Sequence, residues 1–293
     1  MPTTYPPAPP TVTSDGIVTI SRFLNSPTLV QRRLRTLAEN RFIGDVLLSG
    51  RVTTSGGAVQ FEQNESIFTD RVPEAVEPGA DYPLTTLGIG PSLISPVRKW
   101  GVDTLVTDES LKRLLMNPVD RAFTKLVNGV VKQVDTVALT AIAAAVTQTM
   151  AVATAWATST KILRDLLTAR ATILALNQGY DPDVAVVDDL TYAIIMSDTT
   201  ISAGLRREDP SNPIYTGDFP VIGGLKILPT PNLPVSGRAL VADSTVLGSM
   251  ADEEPLGSKS MRDEVKENWR LRAKRIVVPI VQEPAAAMFL TAI

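Results

Sequence analysis

The sequence predicts an α+β protein organised around one long helix, and three observations carry that reading. Apolar residues recur every three or four positions from Val119 to Ala141, behind an Asn117-Pro118 start. Short apolar or alternating runs bounded by Gly, Pro and Asp lie on both sides of that helix and read as strands. Between two of those runs, FEQNESIFTDRVPEAVEPGADYP, Phe61 to Pro83, reads as neither helix nor ordinary strand. Structureless loops longer than about 12–15 residues are uncommon inside a compact domain and mark function or disorder. This one sets Glu62, Glu65, Asp70, Glu74, Glu77 and Asp81 against Arg71 alone, about five net negative charges at ordinary side-chain pKa values.

Taken in order, residues 1–16 are Pro-rich and read as an extended arm without the charged start and apolar core of a secretory signal. SRFLNSPTLVQRRLRTLAEN follows, with Leu29, Leu34 and Leu37 among Arg22, Arg32, Arg33, Arg35 and Arg41, and a short basic helix fits it. A solvated helix face explains these charges in an isolated monomer. The second reading is electrostatic: a basic arm directly before an acidic loop gives complementary surfaces on neighbouring copies.

From Gly56 the pattern turns β-like, with Val59 and Phe61 alternating with Gln60 and Glu62, and SIFT is a second β-prone piece. Leu84, Leu87 and Ile89 then lead to RKWGVDTLVTDE, where Trp100, Val102, Thr104 and Val106 share one face of a strand. Strands bracketing an acidic, Pro-rich excursion describe a long hairpin that extends away from its own core. The helix from Asn117 should run about 28 residues, roughly 42 Å, with Val119, Phe123, Leu126, Val127, Val130, Val134, Val137 and Ala141 on its apolar face and Gly129 interrupting it. The uncharged stretch Thr136 to Thr160 is Ala- and Thr-rich, which favours a buried helix end plus loop over a membrane span.

An α/β region follows: a helix over KILRDLLTARATILALNQ stopped by Gly179, a buried strand at Val184–Val187, and another helix begun near Asp188. Then come a loop-rich stretch with a strand at Leu225–Leu228, a strand at ALVAD, a turn-rich acidic piece at ADEEPLGS, and a closing β run, RAKRIVVPIVQEPAAAMFLTAI.

Composition excludes several chemistries. The 293 residues are 44% apolar and 20% charged, ordinary globular usage, and the net charge of −3 argues against a dedicated nucleic-acid binder with a basic face. The chain holds no histidine and no cysteine. Imidazole bases, thiol nucleophiles, disulfides and ordinary zinc, haem or iron–sulfur sites therefore fall together. No P-loop is encoded around Lys259, and no serine is followed by lysine three residues on. The remaining candidates are carboxylates. Asp181-Pro182-Asp183 reads as a turn before a strand, Asp188 with Asp189 as a helix cap, and Asp252 with Glu253 and Glu254 as a solvated loop. No catalytic residue, cofactor or metal is expected.

The order of parts resembles the major capsid proteins of tailed bacteriophages, the Hong Kong 97-type fold. The residues that carry the resemblance are PEAVEPGADYPLTTLGIGPSLISPVRKWGVDTLVTDESL followed by NPVDRAFTKLVNGVVKQVDTVALTAIAAA, then GYDPDVAVVDDLTYAIIM and the C-terminal RLRAKRIVVPIVQEPAAAMFLTAI. It covers roughly residues 20–293 and rests on architecture, not on a catalytic signature. The resemblance implies an N-terminal arm over 1–50, an extended loop over 51–93, a peripheral domain with its spine helix over 94–158, an axial domain over 159–260, and C-terminal strands over 261–293 that return to both domains. It implies a non-enzymatic shell protein forming hexamers and pentamers of an icosahedral virion capsid, assembled in the host cytoplasm around double-stranded DNA.

On this reading Phe61, Glu62, Glu65, Asp70, Arg71, Glu74, Glu77 and Asp81 contact a neighbouring subunit. Arg22, Arg32, Arg33, Arg35 and Arg41 contact a neighbour or, nonspecifically, the genome. Some members of the family weld the loop to a neighbour by a Lys–Asn isopeptide bond, but the first lysine here is Lys99, so a shell without such crosslinks is expected. No scaffolding segment fits ahead of Ser21, which implies a separate scaffolding protein; a portal protein and a decoration protein are the other expected partners, and no membrane is. Two other readings stay open at the level of sequence: an encapsulin-like compartment loaded with protein, and a carboxylate-based α/β hydrolase.

Overall fold

The computed structural model describes residues 42–86, 88–114, 117–158, 161–198, 200–201, 220–235 and 237–293. In chain order its elements are α1 (Gly44–Leu47), β1 (Gly50–Thr53), β2 (Ala58–Glu62), β3 (Ser92–Pro96), β4 (Arg98–Thr107), α2 (Asp108–Leu114), α3 (Asn117–Ala145), β5 (Thr149–Ala151), α4 (Ile162–Leu174), β6 (Val184–Val187), α5 (Asp189–Ser197), β7 (Val221–Ile222), β8 (Leu225–Pro229), β9 (Arg238–Ala242), β10 (Gly248–Asp263), β11 (Asn268–Val281), a 3-10 turn (Pro284–Ala286) and β12 (Ala287–Thr291). They form two compact units. One holds Phe42, Val97–Asp135 and Asp252–Val277; the other holds Ile43–Pro96, Thr136–Ala251 and Val278–Ile293, so the chain passes between them inside α3, β10 and β11.

In the first unit β4 pairs antiparallel with β11 from Thr107↔Asn268 to Arg98↔Val277, and β10 lies on the other side of β11. Side chains alternate across a strand, so one row of β11 holds Trp269, Leu271, Ala273 and Val277, all buried, opposite the predicted Trp100–Val106 row of β4. Against this sheet runs α3, 29 residues and about 43 Å long, with Pro118 in its first turn where a missing N–H does no harm. Val119, Phe123, Leu126, Val127, Val130 and Val134 are all buried, as the three-four spacing predicts. Past Val134 the stripe slips by one position from the expected one: Ala138, Leu139 and Ile142 take the core, while Val137 and Ala141 are only half-buried. The helix is long and apolar enough to cross a membrane by composition, yet its apolar stripe is spent on the protein's own core.

The second unit is a six-stranded mixed sheet, order β5-β12-β9-β6-β8-β7. β6, four buried residues VAVV, pairs parallel with β8 and antiparallel with β9; the parallel pair needs a crossover, and α5 supplies it. Asp188 caps α5 as expected, its carboxylate accepting the Asp189 N–H at 2.9 Å. Ile162, Leu166, Ala169 and Ile173 of α4 bury one face in the same core as Val187, Val241 and Leu290. The turn into β6 is clamped by carboxylates: Asp243 accepts the Asp181 N–H, and Asp183 accepts both the N–H and the hydroxyl of Ser244. The Asp181-Pro182-Asp183 reading as turn and strand entry holds.

Four expectations need correcting. ADEEPLGS is no turn but the middle of β10, because its acids are neutralised across the sheet: Asp252 by Arg275 and Glu254 by Lys274. SIFT forms no strand: among the described residues no strand pairs with it, and the Ile67 N–H donates instead to the Gln178 side-chain oxygen at 3.3 Å. The far strand of the hairpin is Ser92–Pro96, ahead of the expected Arg98 strand, and the helix before Gly179 ends at Leu174. Since Phe123 is fully buried, Phe123→Ala should lower unfolding stability by about 3–5 kcal/mol, read as a shift of the denaturant midpoint, whereas Lys125→Ala on the exposed face should change it by less than about 0.5 kcal/mol.

Candidate assembly surface

The acidic segment is the outer part of a hairpin whose stem is β2 and β3, paired from Ala58↔Pro96 to Glu62↔Ser92. Its base is pinned. The Gln63 N–H donates to the Pro91 carbonyl, and its side-chain amide donates to the Val281 carbonyl. Asn64, at φ 55°, turns the chain through the left-handed region and donates its N–H to the Gln282 carbonyl at 3.0 Å. Asparagine is among the few residues that adopt that conformation readily. Gly90 closes the neck, since a β-carbon there would collide with the Gln63 carbonyl.

Beyond the neck the two limbs touch chiefly through side chains. Thr86 donates to Asp70 at 3.1 Å, the Arg71 N–H donates to Thr85, and Arg71 pairs with Glu74 at 3.1 Å. The tip is a turn in which the Ala80 N–H donates to the Glu77 carbonyl, with Gly79 at φ 89°. Of the expected interface residues, Phe61 is half-buried in the stem, while Glu62, Glu65, Asp70, Arg71, Glu74, Glu77 and Asp81 are all exposed. Apolar side chains the charge count did not highlight are exposed with them: Ile67, Phe68, Val72, Tyr82, Leu84 and Ile89. Arg22, Arg32, Arg33, Arg35 and Arg41 lie outside the described residues.

The second feature is a set of arginines fixed on the first unit's sheet. Arg272 sits directly across from Asp103 and binds it through two nitrogens at 2.7 and 2.9 Å, while Arg270, two residues along, binds the same carboxylate at 2.6 Å. Arg262 grips Asp108 in a two-nitrogen fork and lies over the Trp269 ring. Arg275 occupies the buried row of β11 at 3% exposure, bonded to both oxygens of Asp252, with the Phe42 ring 4.9 Å from its guanidinium. A buried charge is tolerable only when so paired. Asp252 and Glu254 are therefore engaged in holding strands together and Asp188 in capping a helix, which leaves these candidate acid–base carboxylates in structural roles. Among the described residues no cluster of three or more potential metal ligands occurs.

A family model described as phage capsid protein matches residues 91–288. The chain belongs to the phage capsid protein family. As a phage capsid protein it has a structural role. No curated protein matches it in sequence. In three dimensions this capsid protein is similar to a virus-like particle from Pyrococcus furiosus, with 12% identity, 89% of this chain and 97% of the other covered, and a TM-score of 0.64. The capsid of cyanophage P-SCSP1u matches at 14% identity, 85% and 88% coverage and a TM-score of 0.63. A Microbacterium phage Oxtober96 structure matches at 15%, 86%, 91% and 0.60. At such identities these likenesses establish the fold, the Hong Kong 97-like α+β architecture that the sequence resembles.

The arginine pairs predict a loss of stability in acid. Hydrogen bonds from Arg272 hold the Asp103 carboxyl below its ordinary 3.8, outweighing burial, with Arg270 adding to the effect; Arg262 does the same for Asp108. A carboxyl so lowered binds its proton more weakly folded than unfolded, so its contribution is complete above the unfolded value and is lost as pH falls through the folded one. Thermal melts of the unassembled protein should therefore show Tm falling below pH 3.8, and an Asp103→Asn/Asp108→Asn variant should melt lower at neutral pH with a flatter decline through that window.

Proposed function

We infer that this capsid protein assembles into hexamers and pentamers of an icosahedral shell around the double-stranded DNA of a tailed phage. The observation that carries the reading is the hairpin: pinned to its own unit at Gln63, Asn64 and Gly90, it presents acidic and large apolar side chains together to solvent. Contiguous exposed apolar surface rimmed by charge is the mark of an interaction site. In the shell, residues 61–83 lie across a neighbouring subunit. Residues 1–50 act as the arm, 51–93 as the extended loop, 94–158 as the peripheral domain and 159–260 as the axial domain, with 261–293 returning to both.

The arm's arginines, Arg22, Arg32, Arg33, Arg35 and Arg41, meet the neighbour or the genome through charge, a contact that salt weakens. A scaffolding protein, a portal protein and a decoration protein are the partners that such a shell calls for, and assembly takes place in the host cytoplasm. The chain does no chemistry of its own. Since no lysine precedes Lys99, the loop makes no isopeptide bond and the shell is held without covalent crosslinks.

Electron microscopy and sedimentation of the protein expressed alone and beside a scaffolding protein test this directly. Closed shells or ordered hexamers and pentamers are expected, containing DNA when recovered from infected cells. Stable monomers or dimers under every condition would overturn the reading, and shells filled with a cargo protein would make it a compartment. Mature particles should run as a single monomer band on a denaturing gel, and a ladder of multimers would refute the uncrosslinked shell.

A further inference from the structure

We propose that the solvent-facing stripe of α3 formed by Arg121, Lys125 and Lys132 is a phosphate-binding surface for duplex DNA, holding the packaged genome by charge and without regard to sequence. The inference rests on the reading above that the shell encloses DNA, and it adds to the arm a second contact built into the fold.

Helix geometry makes the stripe. At about 100° per residue, Arg121, Lys125 and Lys132 fall within an arc of about 40°, on the opposite side of α3 from the buried row Phe123, Leu126, Val130 and Val134. All three cations are exposed, and they span about 16 Å along the axis. The helix's own acids do not share that exposure: Asp120 is half-buried and Asp135 is 1% exposed.

Charge gathers here against the trend of the chain. Residues 110–134 carry Lys112, Arg113, Arg121, Lys125 and Lys132 against Asp120 alone, in a protein whose net charge is −3. On the neighbouring sheet Arg270, Arg272 and Arg275 are each bonded to a carboxylate, whereas Arg121 and Lys125 have no ion-pair partner among the described residues. Exposed helix faces are ordinarily steadied by opposite charges four residues apart, and like charges at that spacing work against the helix. Arg121 and Lys125 are such a like-charged pair, and an anion from outside relieves their repulsion.

The polar character of the stripe selects the kind of anion. From Arg121 to Gln133 every exposed side chain is polar, with Thr124, Asn128 and Gln133 flanking the cations and Gly129 adding no side chain at all. A protein partner would need apolar anchors, and this face has none. A phosphate backbone needs only what is present: Lys and Arg for charge, with Thr, Asn and Gln as hydrogen-bond donors. Contacts of this kind release counterions and carry no sequence information, which suits a shell that encloses a whole genome.

Fluorescence anisotropy of the full, unassembled chain with labelled duplex DNA, across a series of salt concentrations, tests the stripe. The unaltered chain should bind two unrelated duplexes equally. An Arg121→Gln/Lys125→Gln/Lys132→Gln variant should bind at least about tenfold more weakly at low salt, with the slope of log affinity against log salt reduced by about 2–3, near 0.9 for each lost phosphate contact. Its melting temperature should be unchanged or higher, because a repulsion has been removed. An Arg164→Gln/Lys226→Gln/Lys259→Gln variant loses the same charge at exposed positions elsewhere and should keep both affinity and slope. Equal losses in the two variants, an unchanged slope in the first, or no binding by the unaltered chain at low salt would overturn the site. So would a stripe variant that keeps its DNA affinity but no longer forms particles, since the stripe would then be a contact between protein chains. The shell reading is judged separately, by whether the unaltered chain forms particles in the electron microscope.

Discussion

The constraint on which the rest depends is that backbone and apolar groups must find partners somewhere. In residues 65–89 the one backbone-to-backbone hydrogen bond among the described residues is the Glu77–Ala80 turn, and the large side chains around it are exposed. A segment that satisfies so little of itself would collapse onto its own core or fray if nothing held it out. Here it is held at the neck by backbone pairing to the end of β11 and by a glycine that admits close approach. The rigid neck presents an unsatisfied surface at a fixed place on the fold. The apolar surface that the monomer leaves exposed there is what the proposed assembly would bury.

The first unit's sheet is tied together by charge as well as by its backbone ladder. Asp103 takes two arginines from β11, Asp108 takes the Arg262 fork, and Asp252 neutralises Arg275 inside the apolar row. Each pair joins elements distant in sequence. Their directional geometry fixes strand register, which apolar side chains alone specify less sharply.

Much of this was legible in the chain itself. The spine helix, the buried VAVV strand and the Asp188 cap follow from periodicity and capping chemistry, signals contained within one element. What sequence reasoning missed was non-local. ADEEPLGS looks like a turn because acids and proline disfavour strands, and only Arg275 and Lys274, reached through the fold, reverse that. The alternation Arg270, Arg272, Lys274 in β11 did hint at a charged strand face, but not that Asp103 lies beneath it. The charge of the hairpin was plain from composition. Its apolar half was not, because Tyr82 and Leu84 would be ordinary core residues in any compact segment and become informative only once seen exposed.

The central claim is that the hairpin's unsatisfied surface is covered by another copy. Hydrogen exchange of peptides spanning residues 66–89, measured in the unassembled protein and in purified shells, tests it most directly. Fast exchange in the free chain and strong protection in the shell, with β6 and β9 slow in both, is the result this account predicts. Equally fast exchange of residues 66–89 in both states would contradict it, for the hairpin would then stand free in the assembled particle.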